Sequence, residues 1–388
     1  MDKGSHIMRQ AWRGLVGLLA VGVVAAAGSV ALADDGGGHG GRDNNGNRGN
    51  NALATTIFTM PAAPGGNPEG VAVDKRSGRF FVSRTGTGAI FVGTLGTPAL
   101  SPFIAGVRPN PAPTDPPVAT GLKVRRGLLY VAGASTGQIR VYDLANPTAA
   151  PKIFETGGGF INDLDLDGDG NVFATDSTKS TIYKVTAAQV AAGTGKPEAI
   201  DVSSGITSTP GQFNLNGIVA RGDELIVVNS FSGELFRITF AGDDNDDNDR
   251  GDHHGNHARA AQAAGTPTIT KIDLGADTVK NGDGLLLDRG RLLVVRGSNG
   301  ATAPAAGANG LIDVVKLSRH RTRGRVGTPV FDASFSGPST IARAGKRLLV
   351  VNASFQAGPT ADGNFTVSGI ARNAVRHSGH GGGGHGGR

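Results

Sequence analysis

The chain has 388 residues, a formal net charge of +6 and no cysteine. The missing cysteine excludes disulfides, thiolate metal sites and a cysteine nucleophile, and so mild a charge for the length gives no support for a nucleic-acid footprint. Sixty-three glycines against 5% aromatic residues predict many turns and an all-β fold, in a chain long enough to bury a large core.

At the N-terminus, Arg9 and Arg13 precede an apolar run from Leu15 to Val30 and then Ala31-Leu32-Ala33, the three parts of a secretory signal cleaved after Ala33. Residues 1–33 are therefore expected to be a signal peptide and the mature protein to be secreted, free of the membrane after cleavage. An uncleaved anchor is the alternative, although the run is short for a span. Residues 34–54 form a Gly/Asn-rich linker, 241–265 an acidic, His-rich insertion and 372–388 a Gly/His-rich tail. None can bury a core, and all three are expected to be disordered. Seven of the nine histidines fall in these segments, so imidazole catalysis in the folded body is not expected. The His-rich segments are either solubilising tails or weak transition-metal binders.

Between 55 and 371 one pattern recurs six times: a small or polar residue, a short apolar strand, a tight polar turn, a second strand, a loop and a third strand. The copies begin "EGVAVD", "TGLKVR", "NDLDLD", "NGIVAR", "DGLLLD" and "STIARA". Their second residues, Gly70, Gly121, Asp163, Gly217, Gly284 and Thr340, lie 51, 42, 54, 67 and 56 residues apart, and the longest interval contains the acidic insertion. The stretches "PFIAGV", "PKIFET", "EAIDVSS", "ITKIDLG" and "PVFDASF" each supply a fourth, outermost strand to the preceding copy. The sixth copy lacks one. "TTIFTM", Thr55 to Met60, has the same character and completes it, which closes the ring without exposed edges. The predicted architecture is a six-bladed β-propeller closed by the N-terminal strand.

The third copy contains "DLDLDGDGNVFA", in which Asp163, Asp165, Asp167 and Gly168 follow the opening of a helix-loop-helix calcium loop. The twelfth position, which such a loop needs as Glu, is Ala174, and "NVFAT" has the content of a strand. In register with the other copies, "GDGN" is a hairpin turn, and Asp165 and Asp167 are expected to be turn or surface groups.

If every inner strand starts at the same face, the residues ringing the channel mouth are Glu69, Thr120, Asn162, Asn216, Asp283 and Ser339. All carry side-chain oxygen. Thr120 and Ser339 are expected merely to hydrate strand starts. Two converging carboxylates with two amides, Glu69, Asn162, Asn216 and Asp283, suit a hard divalent cation, Ca²⁺ first, with Mg²⁺, Mn²⁺ or Zn²⁺ as further options, because like charges so placed repel unless a cation or proton lies between them.

The motifs "PEGVAVD", "INDLDLDGDGNVFATD", "LNGIV" and "GDGLLLDRGRLLVV", in that order, resemble the gluconolactonase, regucalcin and senescence-marker-protein family of six-bladed propellers, and more distantly the paraoxonases. The resemblance runs from about Thr55 to Ala371. It implies that Glu69, Asn216 and Asp283 are metal ligands, that Asn162 is a further ligand or substrate contact, and that Asp283 is also a general base. Phe160 stands where sugar-lactone members often carry Arg, Gly282 replaces a common Pro, and the first four copies have no histidine outside the acidic insertion, so neither a sugar-acid lactone nor a histidine base is implied.

The expected activity is metal-dependent hydrolysis of a small lactone or ester by a monomer, with the cation polarising the carbonyl and Asp283 deprotonating water. Loops after each second strand should border the same face, making Arg84, Asp176, Asn229, Arg296 and Asn352 candidate substrate contacts, with loop carbonyls or neighbouring acids as their alternative partners. Phe160, Phe231 and Phe355 either wall an apolar pocket or pack the blades. The competing function is a secreted binding propeller with a structural cation; a strictosidine-synthase-like condensation is a more remote possibility.

Overall fold

The computed structural model describes residues 54–62, 65–112, 115–240, 266–297, 309–355 and 365–376. The expected signal peptide, the acidic insertion and the tail beyond Arg376 lie outside the described residues, as does all but the end of the linker. The strands group into antiparallel four-stranded units in chain order. The first is β2 (Pro68–Val73), β3 (Arg79–Arg84), β4 (Ile90–Thr94) and β5 (Thr97–Ile104), and the second β6 (Leu122–Arg125), β7 (Leu128–Ala132), β8 (Gln138–Asp143) and β9 (Lys152–Glu155). The third is β10 (Ile161–Leu166), β11 (Val172–Asp176), β12 (Thr181–Val185) and β13 (Glu198–Asp201), and the fourth β14 (Leu215–Arg221), β15 (Glu224–Asn229), β16 (Glu234–Phe240) and β17 (Pro267–Lys271). The fifth is β18 (Gly282–Asp288), β19 (Arg291–Arg296), β20 (Leu311–Leu317) and β21 (Gly324–Val326). The last consists of β22 (Pro338–Ala344), β23 (Arg347–Asn352), β24 (Thr366–Ala371) and the N-terminal β1 (Thr56–Thr59).

The strand chemistry explains the arrangement. Alternating Val, Ile, Leu and Phe give each strand two apolar faces, so every unit packs against a neighbour on both sides. The described core accordingly falls into six clusters, each shared by adjacent units. One joins Ala72 and Phe81 to Leu122 and Val131, another Leu293 and Ile312 to Ile341 and Leu348, and one closes the circle by joining Phe58, Val351 and Val367 to Val71 and Phe80. Two-residue turns such as Arg126-Gly127 and Arg289-Gly290, both residues at positive φ, match the twist of the strands they connect.

Closure comes from β1, which pairs antiparallel with β24 from Thr56↔Gly369 to Thr59↔Thr366 and touches β5 in parallel at Thr59↔Ala99. The N-terminal strand thus occupies the place assigned to "TTIFTM". Three details differ from the sequence expectation. The outermost strand of the fifth unit is β21, not "PVFDASF": the tight turn closed by Ser318 N–H to Arg323 O at 2.9 Å brings the chain back at once, and Val330 only bridges to Ile312. A short helix α1 (Ala187–Ala192) separates β12 from β13, started by a capping box in which Thr186 and Gln189 bond each other's backbone. The first residues of the expected tail form a 3-10 helix, Arg372–Arg376, with Val375 buried.

Phe58 is fully buried, with its ring edge-on to Phe80 at 5.1 Å between centroids. Because this ring holds the closing strand against the first unit, Phe58→Ala is expected to cost about 3–5 kcal/mol, measured as a lower urea midpoint.

Candidate functional site

The ring at the channel mouth is built by a repeated β-bulge. In five units the pairing of the inner strand with its neighbour slips at the same place, between Pro68 and Val71, Ile161 and Leu164, Leu215 and Ile218, Gly282 and Leu285, and Pro338 and Ile341. Two residues then oppose one, which bends the strand and re-aims its side chains. The bulged pairs are Glu69-Gly70, Asn162-Asp163, Asn216-Gly217, Asp283-Gly284 and Ser339-Thr340, the positions assigned to the mouth. In three of the five the second member is Gly, because neighbouring inner strands nearly touch there. A Cβ on Gly70 would overlap the carbonyl of Thr120, and one on Gly217 that of Asp283.

Hydroxyls lace the bulges together. Ser83 Oγ accepts from Gly70 N–H and donates to Thr120 O, both at 2.8 Å. Thr175 Oγ1 accepts from Asp163 N–H at 3.2 Å and donates to Asn216 O at 2.6 Å. Thr120 donates to Ile161 O at 2.9 Å and Ser339 to Glu69 O at 2.8 Å, so these two mouth residues bind neighbouring units.

The four polar mouth residues have different surroundings. Asn162 is buried and donates to Ser177 Oγ at 2.8 Å. Asn216 hydrogen-bonds the Asp283 carboxyl, yet its Oδ1 is buried without a partner, as is Glu69 Oε2. Burial, then the charge of Asp163, pushes the Asp283 carboxyl up to about 8, against the smaller opposing effect of the Asn216 hydrogen bond. Burial, then the charges of Asp283 and Asp163, holds Glu69 well above the usual carboxylate range. These oxygens are acceptors enclosed with too few donors.

Two charged groups that sequence reasoning did not place in the site belong to its surroundings. Asp163 is buried, raised by its burial, and accepts from its neighbour Leu164 N–H at 2.8 Å and from Ile218 N–H of the next unit at 3.4 Å. Lys123, on β6, feels burial that lowers its pKa and the charges of Asp163, Asp165 and Glu69, which together raise it. The signal was present: the third residue after each mouth position is apolar in Ala72, Val219, Leu286 and Ala342 but charged in Lys123 and Asp165. Asp165 lies on β10 rather than in the turn, and its Oδ2 accepts from Ala220 N–H at 2.9 Å. Asp167 is the turn group expected, accepting from Gly170 and Asn171 N–H at 2.8 and 2.9 Å.

The candidate substrate contacts after the second strands are occupied in building loops. Arg84 is 1% exposed, between the rings of Phe91 and Phe365, and donates to Pro61 O at 2.7 Å. Asp176 is fully buried and accepts from Phe160 N–H at 3.0 Å and from both donors of Thr178. Asn229 accepts from Phe231 and Ser232 N–H. Asn352 accepts from Ser336 N–H and donates to Ser334 O. Arg296 is ion-paired with Asp313, its Nε 2.8 Å from Oδ2, and donates from Nη2 to Oδ1 at 3.5 Å. All five end a second strand; Arg84, Asp176, Asn229 and Asn352 tie the crossing loop to the strand, whereas Arg296 pairs with Asp313 on the adjacent strand. Phe160 is buried, edge-on to Phe213 at 5.0 Å, Phe231 is 39% exposed, and Phe355 is half-buried.

Two outcomes follow from this geometry. Thr175→Val, nearly isosteric, leaves Asn216 O and Asp163 N–H without the bridging hydroxyl and is expected to lower stability by about 1–3 kcal/mol in urea unfolding. In chelator, the native state keeps on Asp283 a proton that the unfolded chain releases above the ordinary value of 3.8. Its stabilising effect is complete below that value and is lost as pH rises through about 8. The thermal midpoint should therefore fall over that window, and less steeply in Asp283→Asn.

No protein-family model and no curated protein matches this chain. Solved structures do. A luciferin-regenerating enzyme superposes with a TM-score of 0.51 at 11% identity, over 82% of this chain and 95% of that one. A gluconolactonase of Xanthomonas campestris superposes with a TM-score of 0.51 at 12% identity, over 81% of this chain and 89% of that one. At such identities the likeness is one of fold: the chain is a β-propeller of the architecture shared by these two enzymes.

Proposed function

We propose that the protein is an exported, divalent-cation-dependent hydrolase of a small lactone or ester. The observation that carries this reading is the pair of buried acceptors without donors, Glu69 Oε2 and Asn216 Oδ1, beside the raised carboxyl of Asp283. Glu69, Asn216 and Asp283 would hold the ion, with Asn162 as a further oxygen donor. The donor set is all oxygen, the chemistry of Ca²⁺ before Mg²⁺, Mn²⁺ or Zn²⁺. Among the described residues no three His, Cys, Asp or Glu side chains are grouped to bind a metal, so amide oxygens are needed to complete the set. A bound divalent cation supplies Lewis acidity, polarising the substrate carbonyl and stabilising the developing oxyanion. The gluconolactonase and the luciferin-regenerating enzyme share this scaffold, which is compatible with the reading without specifying a substrate.

The protein's own groups have definite tasks in this mechanism. Asp283 takes the proton of the attacking water; its raised pKa belongs to the ion-free site, and a cation held beside it would favour the ionised carboxylate that this role needs. Asn216 fixes the orientation of the Asp283 carboxyl through their hydrogen bond. The Lys123 ammonium offsets the negative charge of Glu69 and Asp163. Phe160, against Phe213, supplies apolar surface two residues from Asn162.

A second reading has its own observation: Arg84, Asp176, Asn229 and Asn352 are committed to loop contacts, as expected of a binding propeller whose cation is structural. A panel of lactones and aryl esters, assayed after chelation and after return of Ca²⁺, Mg²⁺, Mn²⁺ or Zn²⁺, separates the two. The hydrolase reading expects turnover restored by an ion and reduced about 10²–10⁴-fold in Asp283→Asn. An ion-dependent rise in thermal midpoint with no turnover on any substrate would establish the binding propeller instead.

A further inference from the structure

The end of the propeller opposite the mouth carries a concentration of positive charge that the proposed activity does not use. In the fifth unit, Asp288↔Arg291, Arg291↔Lys316 and Lys316↔Arg325 are direct cross-strand partners. One row thus crosses the whole sheet with a single acid at its inner end followed by three adjacent cations. Directly opposed like charges destabilise a sheet. The inner acid does not relieve this row, because Asp288 is taken by the sixth unit: Arg372 Nε reaches its Oδ2 at 2.7 Å and Arg343 its Oδ1 at 3.4 Å.

The surrounding turns increase the imbalance. The segments 288–291, 316–325, 343–347 and 371–376 all lie at this end and contain twelve Arg or Lys against one acid, Asp288. Arg321 is paired with Glu224 of the fourth unit. Lys316, Arg319, Arg323 and Arg325 are exposed, and among the described residues none has a carboxylate within ion-pair distance.

We infer that this face of the fifth and sixth units is a docking surface for a linear phosphate polyanion. The row Arg291, Lys316 and Arg325 presents its cations side by side across the sheet, with Arg319 and Arg323 in the turn beside it. Arginine predominates, and its planar fork matches phosphate oxygens in pairs. The four segments contain no Phe, Tyr or Trp, so the stacking platform of a single-stranded nucleic-acid binder is missing. None of the exposed large apolar residues, Ile57, Leu95, Val107, Ile153 and Phe231, lies in them, so nothing there anchors a bilayer.

The test uses the full chain with long-chain inorganic polyphosphate as probe, titrated at several salt concentrations. Saturable binding that weakens as salt rises is expected, together with a higher thermal midpoint, because the polyanion relieves the repulsion within the row. The double variant Lys316→Glu/Arg325→Glu should lose about tenfold or more in affinity at low salt and show a shallower salt dependence. The milder Lys316→Gln/Arg325→Gln variant should lose less, in the same direction, and guards against misfolding of the charge reversal. Equal binding by wild type and both variants, or no binding at low salt, would overturn the inference. Stronger retention on phosphatidylglycerol vesicles than on polyphosphate would also overturn it, in favour of a membrane surface. Neither readout depends on the mouth residues, so the result stands apart from that of the hydrolase assay.

Discussion

The close approach of neighbouring inner strands governs the rest of this molecule. Around the channel, successive units meet so tightly at the strand starts that Gly70 and Gly217 have no room for a Cβ against the next unit's carbonyl. A straight strand could not be accommodated there, and each of five units absorbs the misfit with a bulge. The bulges bring Glu69 and Asp283 close enough for their charges to interact. A packing constraint thus generates the polar ring, and the hydroxyls of Ser83, Thr120, Thr175 and Ser339 lock it by bonding across to the next unit.

Such a ring collects whatever side chains the sequence puts there. Glu69 and Asp283 are enclosed with Asp163, so desolvation and mutual repulsion act together and favour a proton or a cation. Lys123 offsets part of that charge from the adjacent inner strand. At the other end, arginines crowd the turns of the fifth and sixth units and share the carboxylate of Asp288. The turns of the fifth and sixth units are rich in Arg and Lys, while the bulges at the mouth hold carboxylates and amides.

Much of the fold was legible from the period of small residue, strand and turn, including the closing role of "TTIFTM". The elements that escaped were local. The helix α1 is announced by Thr186 and Gln189 three residues apart, a capping signal embedded in an otherwise strand-like region. The outer strand of the fifth unit is only three residues, Gly324–Val326, too short to show an alternation. Arg84, Asp176, Asn229 and Asn352 were placed correctly along the chain, at the ends of second strands, but their direction is set by loops that cross over them.

By itself, the sequence determined which residues start the inner strands and so which side chains ring the mouth, because hydrophobic alternation and turn chemistry are encoded within a few residues. It also determined the oxygen-only chemistry of that ring. Only the tertiary structure decided which of those oxygens lack partners, that Lys123 and Asp163 join them, that the second-strand residues turn inward to hold loops, and that cations from four separate segments meet on one face. Those outcomes depend on desolvation and on distances between units remote in the chain, and no local pattern carries either.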